Sequence, residues 1–147
     1  MTERTGPATQ ELSRRQAEPD PLQLELSRDA RAPARARSAI EHWCPALAGG
    51  RPRRETLMLL VSELVTNAVL HSPGPEEAPI RVRASLEHER VRVAVTDPGG
   101  GFSPPERDPG EEQERMTIGG YGLYIVGQAA SRWGIDEQDG TRVWFEL

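Results

Sequence analysis

The stretch SELVTNAVLHS, residues 62–72, is the most informative part of this chain. Its apolar residues recur at helical spacing, which predicts a helix packed in the core. Glu63, Asn67 and His71 occupy every fourth position, and that spacing places all three on one face of the helix. An acid, an amide and an imidazole on one face indicate either an ordinary polar surface or a chemical site.

The composition indicates one mildly acidic domain. The chain has 147 residues, a formal net charge of −5 and a single cysteine, Cys44. We expect residues 1–21 to be a disordered tail, because they are polar and lack apolar periodicity, and residues 22–147 to form one domain with a core. The lone cysteine cannot form an internal disulfide, which favours a cytoplasmic location. The acidic charge gives no support for direct nucleic-acid binding, and no apolar run approaches the roughly 20 residues that span a membrane.

Charge is unevenly distributed along the chain. Arginine is concentrated in residues 28–54, whereas the segment around 106–114 is acidic. A solvated helix face and a contact with a partner or a phosphate group are equally good interpretations of the arginine cluster.

The order of predicted elements indicates an α+β fold. We predict a strand at 22–27, helices at 28–48 and 54–72 separated by a break at 49–53, a hairpin at 80–87 and 90–97, a loop at 98–120, a helix at 121–134 and a second hairpin within 135–147. This order predicts a two-layer α/β sandwich, with helices on one face of a mixed, mostly antiparallel sheet. The first strand is expected at an edge, and the face of the sheet that carries Arg81 and Arg83 is expected to be wet.

Three glycine-containing stretches supply the rest of a candidate site. They are DPGGG at 97–101, GGYGL at 119–123 and DGT at 139–141. Each alone is compatible with an ordinary turn or helix entry. Together with the polar helix face, they are the parts that a nucleotide site requires.

The chemistry of each part fits a nucleoside triphosphate. Helix amides without a nearby Cβ bind phosphate well, so Gly120, Gly122 and the amides of 121–123 are candidates for that contact. Magnesium prefers hard oxygen ligands and keeps several waters, so the Asn67 amide oxygen together with triphosphate oxygens would suffice. Glu63, one turn away, could orient or deprotonate an attacking hydroxyl.

The base would be recognised at the other glycine turns. Asp97 at a strand end can accept a hydrogen bond from an exocyclic amine, which selects adenine. Gly99 and Gly101 would let the ring approach the backbone. The Thr141 hydroxyl could hold a water beside Asp97.

These motifs resemble the GHKL ATPase superfamily, with its Bergerat fold. ELVTNAVLHS resembles the N box, DPGGGF the first glycine box, GGYGL the second and GT the final adenine-side turn. The resemblance covers residues 22–147 in the family's order and spacing. Within the superfamily, the chain most resembles the small bacterial anti-sigma-factor serine kinases.

The resemblance implies a role for each matched residue. Asn67 would ligate magnesium, Glu63 would be the catalytic base and Asp97 would read adenine. The remaining nucleotide-binding candidates are His71, Gly99, Gly101, Gly120, Tyr121, Gly122, Leu123 and Thr141. Residues 102–119 would be the ATP lid.

One position departs from this branch. Tyr121 stands where branch members often carry arginine, so the phosphate contact is open at this position. Arg107 and Arg115 in the lid are the alternative sources of positive charge.

The resemblance also implies partners and alternatives. An ATP- and magnesium-dependent serine/threonine kinase of this branch would bind a sigma factor, phosphorylate an anti-anti-sigma antagonist and form a homodimer. The alternative is an ATP-binding adaptor or anti-sigma factor with little or no kinase activity. The Glu63 base favours the kinase, whereas Tyr121 leaves room for the adaptor. A fragment of a sensor kinase is a weaker interpretation, because the dimerisation helices of that class are missing.

Overall fold

A computed structural model of the chain describes residues 18–44, 47–72, 74–98, 121–137 and 140–147. Within these ranges the chain forms three helices and five strands. In chain order they are β1 (Leu22–Leu26), α1 (Ala32–Trp43), α2 (Gly50–His71), β2 (Ile80–Glu87), β3 (Arg90–Asp97), α3 (Tyr121–Ala129), β4 (Arg132–Glu137) and β5 (Thr141–Glu146).

The described strands form one sheet in the order β1-β2-β3-β5-β4. The sequence predicts a mixed, mostly antiparallel sheet, and the four pairings among these strands are all antiparallel. β1 lies at an edge, as predicted. The two-residue turn between β2 and β3 consists of His88 and Glu89, with φ of 50° and 64°, which is the backbone that tight hairpins favour.

The core lies between this sheet and the helices, which confirms the predicted two-layer α+β architecture. Alternate residues of β2 and β3 point to the helices, because side chains alternate faces along a strand. The fully buried side chains include Phe145, Ile40, Leu57, Leu60, Ile80, Val61, Val65, Val82, Val91, Val93 and Val126. Arg81 and Arg83 are exposed on the opposite face, as predicted.

The second helix begins earlier than the sequence suggests. A break is predicted at residues 49–53, but α2 starts at Gly50. Gly49 precedes it with a φ of 94°, and Pro52 falls in the first turn, where its missing N–H costs no helical hydrogen bond. The two helices are separated as predicted, since α1 ends at Trp43, but the break lies before Gly50 and not at residues 49–53, because glycine and proline are tolerated at a helix start.

The first and last helices are shorter than predicted. α1 starts at Ala32 rather than at residue 28, because the Asp29 carboxylate accepts a hydrogen bond from the Arg31 N–H at 2.7 Å and holds a turn. α3 ends at Ala129, and residues 132–134 belong to β4 instead of the predicted helix. Pairing with β5 decides this, since residues 132–134 lie opposite 144–146 in the ladder.

In the part of the chain that the structure describes, no helix combines the length and apolar character needed to cross a bilayer.

Candidate functional site

The polar face of α2 is present as predicted. Glu63, Asn67 and His71 follow every fourth residue within the helix. Glu63 and Asn67 are half-buried, while His71 in the last turn is exposed. The face therefore begins against the packed part of the molecule and ends at the surface.

Glu63 lies directly against the start of α3. A Cβ placed on Gly122 would be 2.9 Å from Glu63 Oε2, 3.6 Å from Glu63 Cβ and 3.7 Å from the Glu63 carbonyl oxygen. Any larger residue at this position would push the carboxylate aside. The glycine therefore allows the first turn of α3 to approach the acid, and it brings together two of the stretches that the sequence analysis singled out.

Glu63 and Asn67 differ from the other acids on or beside α2 in their lack of protein partners among the described residues. Among the residues that the structure describes, no hydrogen bond or ion pair engages the Glu63 carboxylate or the Asn67 side-chain amide. In contrast, Glu55 pairs with Arg51 at 2.7 Å, and Arg54 pairs with Glu41 at 3.0 Å. Half-buried polar groups without protein partners are candidates for contact with a ligand.

A second part of the site forms where β3 and β5 meet. Asp97 and Thr141 are opposite each other in the ladder, and Thr141 is only 5% exposed. Gly140 has a φ of 118°, and a Cβ there would lie 1.9 Å from the Asp97 carbonyl oxygen. Sequence analysis identified the DGT turn but not this contact, since only the register of β3 and β5 reveals it.

The two parts lie at the same end of the molecule. Arg53, in the first turn of α2, donates to the carbonyls of Glu89 in the β2–β3 turn and of Leu147. α2 packs against both β2 and β3, so its opposite end lies towards the far end of β3, where Asp97 is located. The direction of α2 thus brings the Asn67–His71 turn to the end of the sheet that carries Asp97 and Thr141.

The remaining candidates are divided between described and undescribed residues. Tyr121 begins α3, and Leu123 in the same turn is half-buried. Gly99, Gly101, Gly120 and the predicted lid at 102–119 lie outside the described residues.

The donor set fits magnesium held together with phosphate better than a metal held by protein alone. Within the described ranges, no group of three or more His, Cys, Asp or Glu residues could hold a metal ion. Asn67 offers one hard oxygen on a half-buried face. Magnesium is commonly bound by one or two protein oxygens together with waters and substrate phosphates, so the residues present are compatible with such a complex.

Comparison with known families agrees with this geometry. The profile of the histidine kinase-like ATPase domain matches residues 26–147. Because the match covers most of the chain, the protein belongs to the histidine kinase-like ATPase domain family. The resemblance to the superfamily that the motifs indicated is thereby confirmed.

Curated relatives narrow the comparison to one branch. The serine-protein kinase RsbW of Listeria monocytogenes serovar 1/2a is 36% identical over 80 residues, which are 49% of this chain and 51% of that protein. The serine-protein kinase RsbW of Listeria innocua serovar 6a is 35% identical with the same coverage. The chain therefore spans about half the length, 51%, of the curated relatives it matches.

A solved structure supports the fold. The crystal structure of the RsbU and RsbW domains of a Mycobacterium tuberculosis protein matches with a TM-score of 0.63 at 22% sequence identity. The match covers 86% of this chain and 31% of that one. At this identity the likeness concerns the fold alone.

Proposed function

We propose that this protein is an ATP-dependent serine/threonine protein kinase that also acts as an anti-sigma factor. Its substrate would be an anti-anti-sigma antagonist protein, its second partner a sigma factor, and its functional form a cytoplasmic homodimer. The similarity to serine-protein kinases named RsbW supports the reaction class. The observation that carries the proposal is the half-buried Glu63 carboxylate, which has no protein partner in the described residues and lies against Gly122.

Glu63 would act as the general base. A carboxylate that is not engaged in an ion pair can accept the proton of a substrate serine or threonine hydroxyl as that oxygen attacks phosphorus. Its position is constrained on one side by the backbone of α2 and on the other by the first turn of α3 at Gly122. A fixed carboxylate contributes more to transfer than a mobile one, because orientation is already achieved before the reaction.

The other residues would bind and orient the nucleotide. The Asn67 amide oxygen would face the metal, and the N–H groups in the first turn of α3, which have no acceptor within the helix, would face the phosphates. Asp97, fixed opposite Thr141 in the ladder, would accept a hydrogen bond from the adenine amine. When bound, magnesium ATP would supply the phosphoryl group and neutralise the charge that develops on it.

The proposal is tested by capture followed by transfer. The purified chain is first used to capture proteins from a lysate of its native cell, with magnesium ADP or magnesium ATP present. Each captured protein is then incubated with the chain and γ-labelled ATP, and the labelled residue is identified by mass spectrometry. We expect a sigma factor among the captured proteins and label on one serine or threonine of a small antagonist.

The matched control uses Glu63→Gln, which keeps the size of the side chain and removes the base. Captured partners should be the same for this variant, and label should be lost. Capture and nucleotide binding without transfer by the unmodified chain would contradict kinase activity and support the ATP-binding adaptor. No binding of adenine nucleotide would contradict both.

A further inference from the structure

The last turn of α2 has a hydrogen-bonding requirement that follows from the sequence. The final carbonyl groups of a helix have no N–H partner within the helix. The Val69 carbonyl would ordinarily meet the N–H of residue 73, but that residue is proline and has no N–H. The end of α2 at His71 therefore needs a donor from another part of the chain.

Arg28 provides this donor from the connection between β1 and α1. Its Nε donates to the Val69 carbonyl at 3.1 Å, and one terminal nitrogen donates to the Gly74 carbonyl at 2.8 Å. The other terminal nitrogen donates to the Ser72 carbonyl. One half-buried guanidinium thus collects three carbonyl groups around the exit of the helix. A cation at this position is favourable because carbonyl groups make the C-terminal end of a helix negative.

The residues whose carbonyl groups Arg28 binds lie next to the candidate site along the chain. Asn67 and His71 lie in the same two turns as Val69. If the turn from Val69 to Ser72 opened, His71 would leave the helix and Asn67 would lose the hydrogen bond that its own carbonyl makes in the following turn. The direction of the Asn67 side chain therefore depends on a hydrogen-bond set that Arg28 closes.

We propose that Arg28 is a positioning residue that holds the Asn67–His71 turn of α2 in the geometry needed for metal-dependent nucleotide binding. The inference rests on the proposed function, because it assigns Arg28 an effect on the ligand and not only on the fold. Among the described residues, the three hydrogen bonds of Arg28 all go to backbone carbonyls at the exit of α2, so its effect on a nucleotide is exerted through α2.

A matched arginine at the other end of the same helix separates positioning from stability. Arg53 also donates to three carbonyls, those of Ala48 at 2.8 Å, Glu89 at 2.6 Å and Leu147 at 2.9 Å. It anchors the start of α2, about ten residues or more from the polar face that carries Glu63 and Asn67. Arg28→Lys and Arg53→Lys both keep the charge and lose the planar fork that spans several acceptors.

Three measurements are made on each full-length variant and on the unmodified chain. Amide hydrogen exchange across residues 67–72 without nucleotide reports the stability of the turn. Calorimetric Kd values for ADP, with magnesium chloride and with EDTA, report the metal-dependent part of binding. The melting temperature reports overall stability.

The two variants should differ in the first two measurements. Arg28→Lys should exchange residues 67–72 about tenfold faster and raise the Kd for magnesium ADP about tenfold, since hydrogen bonds from a charged donor to several carbonyls are lost. The Kd in EDTA should rise less, because Asn67 then has no metal to contact. Arg53→Lys should lower the melting temperature and leave both the exchange of 67–72 and the Kd within about twofold.

Each other outcome has a definite meaning. Unchanged exchange in folded Arg28→Lys would overturn the positioning role. Faster exchange with an unchanged Kd, or an equal rise of the Kd in Arg53→Lys, would show that Arg28 contributes stability alone and would also overturn it. Failure of the unmodified chain to bind magnesium ADP would overturn the proposed function instead, and the exchange data would still decide whether Arg28 holds the turn.

Discussion

At each end of helix α2 an arginine donates hydrogen bonds to three backbone carbonyl groups, but the glutamates near the two ends differ in whether they have an ion-pair partner. At the first two turns, residues 50–57, Arg53 binds three carbonyl groups and the acid Glu55 is paired with Arg51. At the last turns, residues 63–71, Arg28 binds three carbonyl groups, but Glu63 has no partner among the described residues. We call these the scaffold end and the site end.

The difference shows where the helix departs from a purely structural role. Both ends are held by an arginine that donates to three backbone carbonyl groups. At the site end one of these carbonyls, that of Val69, belongs to the last turn of α2 and has no N–H partner within the helix. At the scaffold end all three carbonyls belong to residues outside α2. Among the described residues, the half-buried carboxylate of Glu63 and the half-buried amide of Asn67 at the site end have no hydrogen-bond or ion-pair partner, whereas Glu55 at the scaffold end is paired with Arg51. Unengaged polar groups on a well-anchored helix are better explained by ligand binding than by stability, because leaving them unpaired costs free energy. Substitutions at matched positions of the two ends can test this explanation.

The largest difference is expected between the two acids, Glu63 and Glu55. Glu63→Gln should reduce phosphoryl transfer about 10³-fold, which is within the range for loss of a general base. Its Kd for magnesium ADP should stay within about twofold, because a base acts in the transition state more than in ground-state binding. Glu55→Gln removes an exposed ion pair and should change neither quantity. Transfer is measured in single turnover with the captured antagonist.

Equal rates of phosphoryl transfer by Glu63→Gln and Glu55→Gln would contradict the proposed difference between the two ends of α2. If Glu63→Gln transfers phosphate at the normal rate, Glu63 is not the base. If both variants lose activity together, the loss originates in the helix as a whole.

The next largest difference is expected between two glycines with positive φ, Gly140 and Gly50. Gly140→Ala places a Cβ 1.9 Å from the Asp97 carbonyl oxygen, so it should destabilise the fold by about 3 kcal/mol. Gly50 has a φ of 66° with no atom within 4 Å of a Cβ, so Gly50→Ala should cost only about 1 kcal/mol of backbone strain. Urea denaturation measures both.

A smaller destabilisation by Gly140→Ala than by Gly50→Ala would show that the β3–β5 junction is loose enough to yield. The close fixing of Asp97 opposite Thr141 would then not hold in solution.

A smaller effect is expected from the two polar side chains Asn67 and Thr56. Asn67→Ala should raise the Kd for magnesium ADP about tenfold and change the Kd in EDTA much less, because it removes one ligand oxygen of a metal that keeps other ligands. Thr56 donates its hydroxyl to the Pro52 carbonyl at the scaffold end, and Thr56→Ala should leave both Kd values unchanged. Calorimetry with both buffers decides between these outcomes. An equal rise of Asn67→Ala in EDTA would assign Asn67 to the nucleotide and not to the metal.

The sequence predicted those features that depend on local pattern. Period-two alternation located β2 and β3, and helical spacing located the polar face of α2. The assignment of Glu63 and Gly122 to one nucleotide site stays a prediction, although the two residues lie side by side in the structure. The predictions of the strands and of the helix face succeeded because each pattern reports which face of an element is buried.

Other features required the tertiary structure. Residues 132–134 read as helix in isolation, and only their pairing with β5 makes them a strand. Pro73 indicates in the sequence that the Val69 carbonyl is an orphan, but nothing local identifies Arg28, 41 residues earlier, as the donor. The contact between Gly140 and Asp97 likewise depends on register, which the composition of neither strand determines.

The smallest expected effect concerns Cys44, which follows α1 and lies near Arg53 at the scaffold end. Burial raises the pKa of the Cys44 thiol above its ordinary value of 9.0, and the positive charge of Arg53 partly opposes the shift. Because the folded pKa is the higher one, the neutral thiol contributes stability that is complete below the ordinary value and is lost as pH rises through the raised value. The unmodified chain should therefore lose stability more steeply than Cys44→Ala as the pH approaches about 10.

The same measurement made with saturating magnesium ADP extends the comparison between the two ends. The nucleotide stabilises the folded state by mass action at every pH, but the difference in slope between the chain and Cys44→Ala should stay the same, because Cys44 is beside Arg53 and not beside the polar face of α2. Urea denaturation at pH values on both sides of the ordinary pKa supplies the data. A slope difference that disappears when nucleotide is added would mean that ligand at the site end alters the environment of the scaffold end. The two ends would then be coupled through α2, and neither could serve as the control for the other.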